Sequence, residues 1–534
     1  MVATIVQGSA HIFARSGTIW TQRAQFNAVG GAVNGYFGYR IAFSGDTAIV
    51  GEPGAGGFVG AAWVFDVPAN DFASARNDVT GVLYPTLAAA LLPATSGQQI
   101  TATEGAWRIA ASFSTAGRRL SLPSGGDIRT PSTAAITLGG SSTLGTPAGG
   151  VAEIFGALSV PANQMALVSA DSFRLGARGS LRLFSNASLS VDTPATRLDA
   201  SVQLDSRAFL VLRGDADTFA DLIAAAFADI SATGTLTNHA AWSLTSASVG
   251  ATVFTNRDSL SSAGTSGIFG DFLNEAGAIT TIVSGRLFVV GSLTNNGTIS
   301  ETVCSNCLST PPNLDVGGDL VIGPAANFAL PFTDSLVYVA GGYSNAINSN
   351  TRYDLSLATL QLEGVGSEQT LEVMSADIGA SASGLDRTIA GHYPIGTLRI
   401  GPSPSTVRLV DAHDNDTLGQ GSCEAIYVDT LQIDAGSRLI NPTCRIYYNT
   451  LINNGTIDLP ANVIPLAAPC PADLNSDGFV DDADFVIFAD AYNLLDCADP
   501  AMPAGCPADL SADGLVDDAD FVVFAAAYNE LLCP

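Results

Sequence analysis

The chain has 534 residues, 47% apolar and only 13% charged, so it can fill large cores and is not a disordered polymer. Its 55 glycines and 25 prolines favour short strands and tight turns over long charged helices. All 22 basic residues are arginine, against 50 acidic residues and a net charge of −28, which excludes a nucleic-acid-binding face because counterion release needs a basic surface. No apolar run reaches the length of a membrane-spanning helix; the nearest, Leu83 to Ala94, is broken by Pro85 and Pro93. Met1 to Val6 lacks the basic start and apolar stretch of a signal peptide, so the chain is expected to begin inside a longer exported protein.

Residues 1–66 read as short alternating strands separated by glycine turns. Phe37-Gly38, Gly45-Asp46 and Gly51-Glu-Pro53, with Trp20-Thr-Gln22 ahead of them, resemble FG-GAP repeats, the blades of integrin-like β-propellers. A propeller needs about four to eight blades, and about one and a half are present, so the resemblance implies a propeller-like fragment. The same residues also suit a β-meander packed on the next domain. The Asp-rich calcium turn of that family has no counterpart here, so no metal is expected in this segment.

Residues 78–462 form the bulk. Tyr84 to Leu92 reads as a short apolar helix, an order that resembles the capped opening coil of pectate-lyase-like right-handed β-helices. Leu273-Asn-Glu-Ala-Gly-Ala-Ile279 and Leu293-Thr-Asn-Asn-Gly-Thr-Ile299 lie 20 residues apart and share a pattern with Leu451 to Ile457; Thr430-Leu431 and Thr450-Leu451 are again 20 apart. A period near 20, apolar residues inward and Asn-Gly at a corner suit a parallel β-helix, a solenoid in which stacked Asn side chains hydrogen-bond along the stack. An array of β-sandwiches is the competing architecture. Gly291 and Gly318 differ by 27, the excess lying in the loop from Cys304 to Pro312, and Phe219 to Ile230 reads as a helical excursion.

Residues 470–534 are an internal duplication: 470–497 and 506–533 align at an offset of 36 with 21 of 28 positions identical. Fourteen acidic residues and no basic one fall in this segment, a density that calls for a cation. In the first copy Asp473, Asn475, Asp477, Asp481 and Asp484 occupy positions 1, 3, 5, 9 and 12 of a twelve-residue loop, with Gly478 at the sharp turn and Phe479 offering its carbonyl at position 7. That spacing aims oxygen donors at one hard cation, so two Ca²⁺ sites are expected. The second copy supplies Asp509, Ser511, Asp513, Leu515, Asp517 and Asp520; serine at position 3 is the poorer donor, and this site is expected to bind more weakly. Position 12 is Asp rather than the usual Glu, and an exiting helix follows without an entering one. Duplicated, this EF-hand-like unit resembles the type I dockerin, which implies docking to a cohesin-like or other cell-surface protein.

The eight cysteines are even in number, and disulfides persist outside the cytosol. The expected pairs are Cys423 with Cys444, about one coil apart, Cys304 with Cys307 as a loop staple, and two clasps, Cys470 with Cys497 and Cys506 with Cys533. Clasped repeats of this kind are similar to those at the C-termini of planctomycete secreted proteins. No catalytic residue is assigned: His11, His239, His392 and His413 are scattered, and Asp411, His413, Asp414 and Asp416 are expected to form a solvated corner. The expectation is thus a mainly β protein, extracellular or at the cell surface, with a non-catalytic adhesive or structural β-helix and a calcium-dependent docking module. The alternative is a dockerin-bearing polysaccharide lyase or glycoside hydrolase.

Overall fold

A computed structural model describes residues 8–16, 19–27, 35–44, 47–55, 59–66, 75–84, 87–102, 106–108, 113–121, 127–130, 134–140, 142–145, 150–302, 313–364, 366–416, 423–441, 443–466, 472–475, 479–503 and 505–529. The protein is mainly β, 50% strand and 8% helix, with a β-solenoid of about 15 turns and a few short C-terminal helices. The chain divides into two compact units, Met1–Gly317 and Gly318–Pro534.

The first unit opens with antiparallel strands. Ser9–Ser16 pairs with Ile19–Asn27, and Arg40–Ser44, Thr47–Glu52 and Ala61–Asp66 form a three-stranded meander. Its small core joins Ala10, Phe37 and Val50, with Phe65 stacked on Phe26 at 4.6 Å and the Trp63 indole donating to Glu52. Helix α1 (Leu87–Leu91) follows, burying Leu87, Ala90 and Leu91 beside the first coil; it is shorter than the expected Tyr84 to Leu92, since Tyr84 belongs to a strand.

From there to the end of the unit the strands stack in parallel. Alternation within each strand puts every second residue inside. One inward ladder runs Leu189, Leu210, Ile230, Val249, Ile268, Val289 and Val316, all buried. Each such side chain contributes about 1.5–3 kcal/mol by leaving water. The corner before this ladder is taken in successive coils by Asn163, Asn186, Arg207, Phe227, Ser246, Gly264 and Gly285, each at positive φ. The corner needs the left-handed conformation, and the packed coils hold even Arg207 and Phe227 in it.

Two expectations change here. Phe219 to Ile230 is not helical: Leu222–Ala224 and Asp229–Ala232 are strands, with Leu222 paired to Val202 and Ile230 to Leu210. The backbone groups offered by the preceding coil outweigh the helix preference of a short alanine-rich run. The motif register is also off by one. Asn274 pairs with Asn295 rather than with Thr294, and Ile279 with Thr298 rather than with Ile299. A slip of one residue exchanges faces, which is why Ile279 is exposed while Ile299 is buried. The 27-residue spacing is real, since Val289 pairs with Val316.

In the second unit, Val337, Leu360, Leu398 and Leu431 form a buried ladder, and Thr430 and Leu431 pair with Thr450 and Leu451 as expected. Two excursions leave the coils, 373–394 and, in its described part, 411–416, and break the 20-residue period. Cys423 bonds Cys444, as the one-coil spacing predicts. The unit ends with helices α2 (Asp482–Tyr492) and α3 (Asp518–Tyr528).

Candidate functional site

The duplicated segment builds two equivalent loop-to-helix junctions. Asp481 and Asp517 cap α2 and α3, accepting from the Ala483 and Ala519 amides, while Asp484 and Asp520 reach back to the Asp481 and Asp517 amides. These reciprocal capping boxes satisfy amides that the first helical turn cannot. The second oxygens of Asp484 and Asp520 accept from the Asn475 and Ser511 amides, so each loop closes on its own helix start. Both carboxylates are buried. Burial pushes the Asp520 carboxyl up, but the amides of Asp517 and Ser511 outweigh it and hold the group below the usual aspartate range.

In the second loop Asp509, Asp513 and Asp520 each present a carboxylate oxygen, and the three oxygens lie within 4.8 Å of one another. Oxygens bound to one calcium ion, each about 2.4 Å from it, lie no farther apart than this. Asp509 accepts from the Asp513 and Gly514 amides, and Asp513 from the Leu515 amide. Asp517 stands at the helix cap, and Ser511 and Leu515 are exposed. In the first loop Asp473 is half-buried and Asn475 and Phe479 are exposed; Asp477 lies outside the described residues, so the convergence of that loop is not on view.

The two halves pack on one another. Phe488 stacks on Phe524 at 4.9 Å, and the shared core holds Ala472, Val480, Ala491, Met502, Ala508 and Val516. The Tyr492 hydroxyl donates to Asp518, and in the equivalent place the Tyr528 hydroxyl donates to Asp482. The expected clasps are corrected: Cys497 bonds Cys506, which excludes both Cys470–Cys497 and Cys506–Cys533. The reason is local. The chain turns back after α2, the Cys497 amide reaches the Gly514 carbonyl, and the Cα atoms of the two cysteines, nine positions apart, lie 5.4 Å from each other, within disulfide reach. Cys470, Cys533, Cys304 and Cys307 lie outside the described residues.

A second acidic group sits on the excursions of the solenoid. The expected solvated corner at Asp411 to Asp416 is only partly one: Asp411 and Asp414 are exposed, while Asn415 and Asp416 are buried beside Glu424. Asn415 anchors the excursion by donating to the Asn345 and Ile347 carbonyls, and its own carbonyl accepts from the Tyr393 hydroxyl. Glu424 takes the amides of Asn415 and Asp416 on one oxygen, and Glu372 takes those of Ala412 and His413. Burial pushes the Glu372 carboxyl up to about 7 and the Glu424 carboxyl up to about 8, with Asp411 adding to both. Sequence reasoning missed Glu372 and Glu424 because isolated glutamates in a β pattern carry no local signal. Two arginines that precede this acidic stretch in the sequence are held in ion pairs, Arg399 with Asp434 and Arg408 with Glu368, the latter pairing raising the Arg408 pKa further.

Residues 20–65 match the FG-GAP repeat family, over the turn that carries Phe37 and the strand that carries Trp63 and Phe65. No curated protein and no solved structure matches the chain.

Proposed function

We propose that this is an exported, non-catalytic protein of the cell surface, whose solenoid is a rigid structural or adhesive body and whose C-terminal module docks it through calcium. A solenoid bearing an FG-GAP repeat fits a surface or structural protein, and the disulfides fit an oxidising compartment. The observation that carries the docking reading is the duplicated loop-plus-helix, with Asp509, Asp513 and Asp520 converging in the second loop. We read the module as a type I dockerin-like unit taking two Ca²⁺ ions and a cohesin-like or other cell-surface partner. The enzyme alternative is weaker, since an eliminase needs a free base beside its cation and Arg399 and Arg408, the arginines that precede the acidic stretch, are held in ion pairs.

The test is calcium titration of the full chain against the double variant Asp484→Asn, Asp520→Asn. Loss of two calcium ions in the variant, the Asp473–Asp484 loop being the tighter, supports the reading. Equal calcium binding by both proteins, or release of unsaturated uronides from pectin or alginate, overturns it.

A further inference from the structure

The Asp414, Asp416 and Glu424 group is built differently from an exposed acidic patch. One carboxylate oxygen from each residue lies within 4.8 Å of the others. Asp416 and Glu424 are only 5% and 6% exposed, while Asp414 faces solvent. Glu424 spends one oxygen on the Asn415 and Asp416 amides. Its other oxygen, Oε2, is buried and has no hydrogen-bond partner, as is Oδ1 of the fully buried Asn415. A buried carboxyl oxygen without a partner is costly, because it gives up its hydration and gains no hydrogen bond in exchange. No counter-charge offsets it locally: among the described residues no arginine pairs with Glu424, and Thr417 to Ser422 carry no charge in the sequence.

We propose that Asp414, Asp416 and Glu424 form a third cation site, separate from the C-terminal loops, that takes a hard divalent ion of the Ca²⁺ type. The donor set is all oxygen, which suits Ca²⁺ or Mg²⁺ rather than a thiolate- or imidazole-seeking metal. The spread of the donors is that of oxygens around one Ca²⁺, and the exposed Asp414 leaves a side open for water ligands and for ion entry. The ion gives Glu424 Oε2 the partner that the protein withholds. It also ties Asp414 and Asp416 to Glu424 at the start of the next coil, where Asn415 already holds the Asn345 and Ile347 carbonyls and Cys423 is bonded to Cys444.

Equilibrium dialysis of the full chain with Ca²⁺ tests this, in the background Asp484→Asn, Asp520→Asn so that the C-terminal loops do not contribute. We expect one bound Ca²⁺ per chain, lost on adding Glu424→Gln and weakened at least tenfold on adding Asp414→Asn. Asp414 is exposed, so its variant keeps the fold and preserves the test should Glu424→Gln fail to fold. No bound ion at millimolar Ca²⁺, or an ion retained at full affinity in both added variants, overturns the proposal. A full chain that loses two ions with the loop substitutions and none with Glu424→Gln or Asp414→Asn overturns this site alone and leaves the docking module standing.

Discussion

Single buried polar residues carry much of the specificity of this solenoid. Asn238, Asn256, Asn274 and Asn295 are fully buried, and each of the first three donates its amide to the next side chain at 2.8–2.9 Å. A second donor position of each is taken by a backbone carbonyl, that of Ser259, Ile279 or Thr298. Removing one rung strands its neighbours, so Asn256→Ala should destabilise the solenoid by about 2–4 kcal/mol, read as a lower urea midpoint. Glu372 makes a second prediction. Its folded pKa, about 7, lies above its ordinary 4.5, so the protonated acid is the stabilised form. That stability is fully present below about pH 4.5 and is lost as pH rises through 7. In chelated buffer the parent should weaken between pH 5 and 8, and Glu372→Gln should remove about 1–3 kcal/mol of that fall. A variant with the same pH slope as the parent would show that Glu372 does not titrate in this range.

At the scale of elements, duplication explains why α2 and α3 need each other. Each is 11 residues long, short for a stable isolated helix, and their apolar residues are shared across one core. Phe488→Ala opens that core at its centre and should cost about 3–5 kcal/mol, enough to unfold so small a module. Limited proteolysis of the full chain should then cut between Asp473 and Asn529 while the solenoid survives; equal protection of that stretch would argue against a shared core. The disulfide belongs to this scale as well. Non-reducing peptide mapping should recover Cys497 joined to Cys506, and recovery of Cys497 joined to Cys470 would contradict the fold described.

At the scale of the molecule, the two units differ in what holds them. The coils of the first unit rest on stacked apolar ladders and on amide stacks, and among its described residues no group of acids, histidines and cysteines converges as a metal site does. The second unit carries the convergent carboxylates. Chelation should therefore lower only the calorimetric transition of the second unit, while the first unit's transition stays within about 1 °C. A shift of both by the same amount would mean that the first unit also depends on metal. No helix among the described residues is long and apolar enough to cross a membrane.

Local signals were sufficient where they repeat. The Asn stack and the pairing of Thr430-Leu431 with Thr450-Leu451 are legible because each coil states the same requirement again. Helix α1 was legible in part: the expected span Tyr84 to Leu92 shrinks to Leu87–Leu91, because Tyr84 pairs in a strand with Ala75. What depends on neighbours in space was not legible. Leu222 and Ile230 became strand because the preceding coil offered them hydrogen-bonding partners. The shift that exposes Ile279 was set by pairing with the next coil rather than by the motif itself. Cys497 chose Cys506 because the chain folds back after α2, although the repeat suggested a clasp within each copy. Glu372 and Glu424 acquired their raised pKa values only when the excursions buried them beside Asp411, because burial and proximity are properties of packing and not of residue type.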